Sequence, residues 1–328
     1  MLTLNTIGVC DRIEYNELQE EENHEELCFS PLTIDDKWIF DRYLNEYNFN
    51  TCEYSFANLL IWRKGCDITY TIYNGVLIIK KKDFKGNYHF MQPMGYNNEN
   101  LKKVIELLKE YRLKNKMKYL FKDVEKSFLK ELKDIYGDEI EVEDDIDNFD
   151  YIYDSSKLAT LSGKKLHSKK NHYNYFTKTY DYSVKDLSEE SVREDCIKAA
   201  EIWHEEKYNG DEYLSYELKG IKELIKNMDV LNLKGIAIYV DDVISAFTIG
   251  ESVNKDMAII HIEKGRSDIR GIYSFINKTF VEKYFTDVKF INREQDLGIE
   301  GLRKAKKSYY PIRLEEKYCV NLSDDYLL

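Results

Sequence analysis

The sequence predicts an α/β protein, α+β in the way its strands cluster, built from two similar units in tandem. Each unit is expected to hold a mixed, mostly antiparallel sheet flanked by helices. Three observations carry this. Apolar residues recur at period two in some stretches and at helical spacing in others. The order of elements in residues 30–145, helices followed by β-β-β-α-β-α-β, returns in residues 146–328. Two hairpin turns, Asn74-Gly75 and Asp241-Asp242, fall at matching places in the two orders.

Residues 1–29 carry the acidic run Glu20–Glu26 and little apolar pattern, so they read as a poorly ordered tail or loose helix. Asp35 and Asp36 then precede Trp38, Ile39, Phe40, Tyr43, Leu44 and Tyr47, an amphipathic helix. Residues Ser55–Trp62 read as a second, largely buried helix. Ile68–Tyr73 and Val76–Lys81 pair about Asn74-Gly75, and Tyr88–Gln92 is a third strand stopped by Pro93. A helix from Leu101 to Tyr111, a strand at Tyr119–Phe121, a helix from Phe128 to Ile135 and a strand at Glu139–Val142 complete the first unit. The acidic stretch Glu141–Asp147 marks the boundary.

The second unit begins with a strand at Phe149–Tyr153 and a basic segment. Ser191–Glu194 reads as a capping box for a helix through Trp203, and Leu214–Met228 as another. Gly235–Val240, Val243–Gly250 and Met257–Glu263 are strands. Ile269–Phe285 is a helix, Val288–Asn292 a strand, Gly298–Ser308 a helix ended by Pro311, and Ile312–Val320 a last strand.

Composition bounds the function. The 328 residues suffice for two cores, and 43% hydrophobic content excludes a disordered chain. A net charge of −12 excludes general coating of nucleic acid or anionic membrane but leaves room for a local basic site. The six cysteines contain no Cys-x-x-Cys pair, so reduced thiols in a cytoplasm are expected. No apolar run approaches the ~20 residues of a membrane helix, so no integral membrane segment is expected.

Two stretches concentrate chemistry. Leu161–Lys178 holds five lysines, two histidines and no acid. Lys164, Lys165, Lys169 and Lys170, with His167 and His172, suit phosphate; the plain alternative is a solvated lysine face. The histidine spacing is poor for a shared metal, and no metal site is expected. The second stretch follows the strand at Val288–Asn292, where α/β folds place ligands. There Asn292, Arg293, Glu294, Gln295 and Asp296 precede a helix carrying Arg303, Lys304, Lys306 and Lys307, with Tyr309 beyond. Asp296 is the expected N-cap. His261 and Glu263 alternate on a strand and are expected to share one face, with Glu263 as a general base.

The element order is similar to the GNAT acyltransferase fold, and the tandem resembles the Fem-type aminoacyltransferases. Leu161–His172, His261–Lys264 and the run Asn292–Pro311 resemble the signatures of the phosphatidylglycerol lysyltransferase C-terminal-like family over residues 30–320. The resemblance implies two GNAT-like domains, 30–145 and 146–328, the second with the active site. It implies an acyltransferase that takes an aminoacyl group from aminoacyl-tRNA to a lipid head group, peptide or small amine. Expected catalytic residues are Glu263, Asn292, Glu294 and Asp296. Lys164, Lys165, His167, Lys169, Lys170, His172, Arg266, Arg270, Arg293, Arg303, Lys306 and Tyr309 are expected to bind substrate or phosphate. Acyl-coenzyme A is the alternative donor, and a non-catalytic binding protein with this fold is the third reading. In GNAT enzymes the turn after the third strand cradles the coenzyme A pyrophosphate in an Arg/Gln-x-x-Gly-x-Gly/Ala pattern. Here Arg266 leads to Ile269 and Gly271, so the central glycine is missing.

Overall fold

A computed structural model describes residues 27–323 apart from 209 and 211. The expected acidic tail lies outside the described residues up to 26; Leu27 is buried and Phe29 stacks on Phe90, so residues 27–29 pack into the first unit. The first half runs β1 (Ser30–Pro31), α1 (Lys37–Leu44), α2 (Phe56–Trp62), β2 (Thr69–Tyr73), β3 (Val76–Lys82), β4 (Tyr88–Phe90), α3 (Leu101–Lys114), β5 (Phe121–Val124), α4 (Lys126–Tyr136) and β6 (Ile140–Asp144). The second runs β7 (Asp150–Asp154), α5 (Ser155–Thr160), α6 (His167–Thr179), β8 (Tyr182–Asp186), α7 (Glu190–Lys207), α8 (Glu212–Lys226), β9 (Lys234–Val240), β10 (Val243–Ser252) and β11 (Met257–Gly265). It ends with α9 (Ile272–Tyr284), β12 (Phe290–Asn292), α10 (Glu300–Lys307), β13 (Arg313–Glu315) and β14 (Tyr318–Leu322).

The strands form two seven-stranded sheets, ordered β1-β2-β3-β4-β5-β14-β6 and β8-β9-β10-β11-β12-β7-β13. The two orders match strand for strand, and each sheet has its one parallel pair at the same place, β4 with β5 and β11 with β12. These are the two similar tandem units, each with a mixed, mostly antiparallel sheet, that the sequence predicts. The match also shows an exchange. β7 follows directly on the first half yet lies in the second sheet, and β14 closes the chain inside the first sheet. The expected strand Ile312–Val320 is therefore two strands on different sheets, and a cut between 145 and 146 does not separate two spatial units. The cause is pairing: β14 bonds to β5 on one side and β6 on the other, filling a gap that would leave two strand edges open.

Three cores hold the layers. Phe90, Phe121 and Phe128 anchor the first sheet to α3 and α4. Phe176, Phe275 and Phe280 anchor the second sheet to α6 and α9. The third core joins the halves: Leu59, Leu60 and Ile61 of α2 meet Ile221 and Leu224 of α8 and Phe247 of β10. β8, which the sequence did not announce, is an edge strand with mostly exposed side chains, so no buried alternation marks it. The capping box expected at Ser191 is also absent, because α7 starts at Glu190 after Glu189. No helix among the described residues is long and apolar enough to cross a membrane.

Candidate active site

β11 and β12 pair only from Met257↔Phe290 to Ile259↔Asn292. Beyond that the two strands part, and the gap is bridged by two ion pairs. Arg293 Nη2 donates to Glu263 Oε1 at 2.8 Å, and His261 Nδ1 lies 2.9 Å from Glu294 Oε1. The corresponding gap in the first half is filled by the chain itself. Tyr54 Oη donates to the Asp123 carbonyl and accepts from Gln92 N–H, while Glu125 accepts from the amides of Asn50 and Thr51.

His261 and Glu263 do not share a face. The β10–β11 register slips between Ile249 and Gly250, which pair with Ile262 and Ile260, so His261 is the extra residue of a bulge. The bulge turns His261 toward Glu251, with His261 Nε2 3.0 Å from Glu251 Oε1. Glu263 is left facing α9, where Asn277 donates to its second oxygen at 2.8 Å. Burial alone would push the His261 imidazolium down, but hydrogen bonds to Glu251 and Glu294 overcome it and raise the group to about 9. Ser55, the N-cap of α2, and Asn58 within it donate to these same two carboxylates, so His261 ties the second sheet to the first half.

Asn292 is fully buried. It donates to the Asn50 carbonyl and to Asp150, and its oxygen caps the Glu294 amide at 2.7 Å, in a turn where Glu294 has φ +57°. Asp296 is not the N-cap, since α10 begins at Glu300 after Ile299. Its carboxylate instead accepts from Gly298 N–H, from Tyr151 Oη at 2.6 Å and from Arg303 at 2.8 Å. Arg303 also bonds Asp147, so Nε and Nη2 of this expected phosphate ligand are spent locking the loop. Lys306 is buried and donates to the carbonyls of Arg293 and Gln295; burial pushes its ammonium down to about 8.

The lysine segment does reach this region. A pocket of about 550 Å³ is walled by Lys157, Lys164, Lys165 and Lys307 with the rings of Tyr153, Tyr309 and Tyr310. Lys165 Nζ lies 5.6 Å from the Tyr310 ring centre, and Lys169 Nζ 4.1 Å from that of Tyr309. Arg293 packs on the same Tyr309 ring at 4.6 Å, and its buried Nη1 has no hydrogen-bond partner. Two cations thus meet one aromatic ring at the edge of a lysine-rich pocket, with a guanidinium donor left over. Lys170 and His167 are exposed on α6.

Arg266 pairs with Asp268 on the surface, and Arg270 packs on Tyr175 of α6. Gly271 starts α9 at φ +91°, and a β-carbon there would stand 2.4 Å from the His172 carbonyl. Helix α6 therefore lies directly on the turn that the GNAT resemblance assigned to a pyrophosphate. Gly271→Ala should cost about 1–3 kcal/mol, because it adds both left-handed strain and this clash. An unchanged thermal midpoint would show that α6 moves aside freely.

One cluster escaped the sequence. Lys317, fully buried just before β14, donates to Asp150 at 2.7 Å and to Glu53 at 2.6 Å, and Asp150 also accepts from the Cys52 amide. Cys52, Glu53 and Asp150 lie close enough together to ligate a cation, and the Lys317 ammonium is already among them. The available signal was Asp150 itself, an acid inside the apolar stretch Phe149–Tyr153.

Residues 44–321 match the family model for phosphatidylglycerol lysyltransferase, C-terminal. A crystal structure of a conserved protein of unknown function from Bacteroides thetaiotaomicron is similar at 31% identity and TM-score 0.81, over 90% of this chain and 99% of that one. The structure of L-PGS from Bacillus licheniformis shares the fold at 15% identity and TM-score 0.61, over 92% and 96% of the two chains. An uncharacterised protein of Mycoplasmoides gallisepticum is 29% identical over 176 residues, 52% of this chain; the match spans 56% of that relative's length. By the family model's span over most of its length, this chain belongs to the phosphatidylglycerol lysyltransferase C-terminal family.

Proposed function

We propose that the protein transfers an aminoacyl group from aminoacyl-tRNA to an amine or hydroxyl acceptor, such as a lipid head group, a peptide or a small amine. The family and its GNAT-like fold support acyl transfer in general. The observation that carries the finer reading is the convergence of Arg293 and Lys169 on Tyr309 beside the lysine-walled pocket. Lys164, Lys165 and Lys307 would hold phosphates near the acceptor end of the tRNA. Arg293, with its spare Nη1 donor, would stabilise charge developing on the ester carbonyl oxygen.

Glu263 takes a different role from the one its strand suggested. Both its oxygens are engaged, one by Arg293 and one by Asn277, so it orients the guanidinium and is not a free base. Coenzyme A is the weaker donor candidate, because α6 covers the turn after β11 that would cradle its pyrophosphate.

The test is a screen of the purified protein against radiolabelled aminoacyl-tRNAs and acyl-coenzyme A, each with phospholipid vesicles, peptides and small amines. Aminoacyl-ester consumption that requires an acceptor supports the reading. Consumption of acyl-coenzyme A alone overturns it. Replacing Lys164 and Lys165 by alanine should weaken tRNA binding and flatten its dependence on salt, the slope falling by roughly 1 for each phosphate no longer neutralised. An unchanged salt slope would place the tRNA elsewhere.

A further inference from the structure

Of the carboxylates first expected to move protons, Glu263 and Asp296 have both oxygens engaged, and Glu294 shares its Oε1 between two partners. Glu263 is held by Arg293 and Asn277, Glu294 by His261 and Asn58, and Asp296 by Arg303 and Tyr151. His261 is closed in between Glu251 and Glu294. Acyl transfer still needs a group that accepts the acceptor's proton. The half-buried amine on α6 that looks onto the Tyr309 ring is placed for it.

We infer that Lys169, set over the Tyr309 ring beside Arg293, is the general base of this site and hands the proton on to the leaving group. This rests on the acyl-transfer reading above. The groups around Lys169 are the Arg293 guanidinium from the loop after β12, Glu263 from β11, Tyr309 beyond α10, and His172 one turn further along α6. Glu263, the carboxylate among them, already pairs with Arg293, and no ion pair forms between Lys169 and an acid among the described residues. Burial first, and the Arg293 charge second, push the Lys169 ammonium down to about 8, with Glu263 opposing weakly. A permanent cation beside a lysine thus does two jobs. It keeps part of the amine neutral near pH 7, and it offers a donor to the developing oxyanion.

The step balances without another reactant. The Lys169 amine takes the proton of the attacking hydroxyl or amine N–H. The acceptor atom bonds to the ester carbonyl carbon, and the bond from that carbon to the ribose oxygen breaks. The Lys169 ammonium returns its proton to that oxygen, which restores the amine.

Two measurements test this. In competitive acetylation of the native protein with acetic anhydride across pH, followed by peptide mass spectrometry, Lys169 should titrate near 8. The ordinary lysine value of about 10.4 is the reference. A Lys169 midpoint at that ordinary value overturns the inference whatever the activity. In the aminoacyl-tRNA assay, Lys169→Arg keeps a positive charge but cannot act as a base at these pH values. Its kcat should fall ~10²–10⁴-fold while the donor's KM holds. The wild-type kcat should also rise with pH and level off above about 8, a limb that the variant lacks. A variant that keeps kcat removes only this inference, whereas a wild type without turnover removes the acyl-transfer reading and this inference together.

Discussion

Replacing Lys317 by methionine is expected to destabilise the protein by about 3–5 kcal/mol, the scale on which breaking one partner of a buried ion pair acts. The chain packs Lys317 out of water entirely, against Asp150 and Glu53, which are themselves buried. Methionine keeps the length of the side chain, so the packing change is small and the missing charge dominates. Burial already pushes the Glu53 carboxyl up, with Lys317 as its main counterweight, and removing the ammonium leaves two acids facing each other. The position magnifies the effect. Lys317 sits just before β14 and Asp150 at the start of β7, the two strands that the halves exchange. Urea unfolding at pH 7 measures the loss. A change below about 1 kcal/mol would mean that water reaches the cluster. In the double variant with Asp150→Asn part of the stability should return, since one stranded charge is gone.

The second large effect is a pH dependence owed to His261. Its folded value is raised to about 9 from an ordinary 6.5, so its stabilisation is complete below about pH 6.5 and is lost as pH rises through about 9. The shift corresponds to a contribution on the order of 3 kcal/mol. Lys169 and Lys306 run the other way. Their lowered values make the fold gain stability as pH climbs from about 8 toward the ordinary lysine range, so the wild-type curve alone mixes the two signs. The clean measurement is the stability difference between wild type and His261→Gln at pH 6 and at pH 9.5. A difference of several kcal/mol at pH 6 that shrinks toward pH 9.5 is expected. A constant difference would show that the imidazole is neutral in the fold and acts only as a spacer. Because Ser55 and Asn58 bond the same carboxylates, the alkaline loss should also loosen α2 against the second sheet, read as faster amide exchange in Phe56–Trp62.

The sequence by itself determined the architecture of each unit. Period-two runs placed β2, β3, β9, β10 and β11, helical spacing placed α3, α4, α8 and α9, and the Asn74-Gly75 and Asp241-Asp242 turns fixed the hairpins, because each of these signals is local. The run Asn292–Asp296 was legible as a candidate site for the same reason: a strand that ends in consecutive polar residues has to spend them on something nearby. What those residues spend themselves on was decided by tertiary structure alone. Glu263 became a partner of Arg293, Asp296 a clasp for Arg303, and His261 a tie between halves, because a one-residue bulge and a strand that starts to diverge choose which face each side chain meets. The exchange of β7 and β14 is likewise invisible in the chain, since any strand with suitable alternation pairs with either sheet, and edge closure settles the choice. Lys317 illustrates the limit most plainly: a lysine is read as solvated until its burial is known, and its burial follows from contacts with residues 167 and 264 positions away.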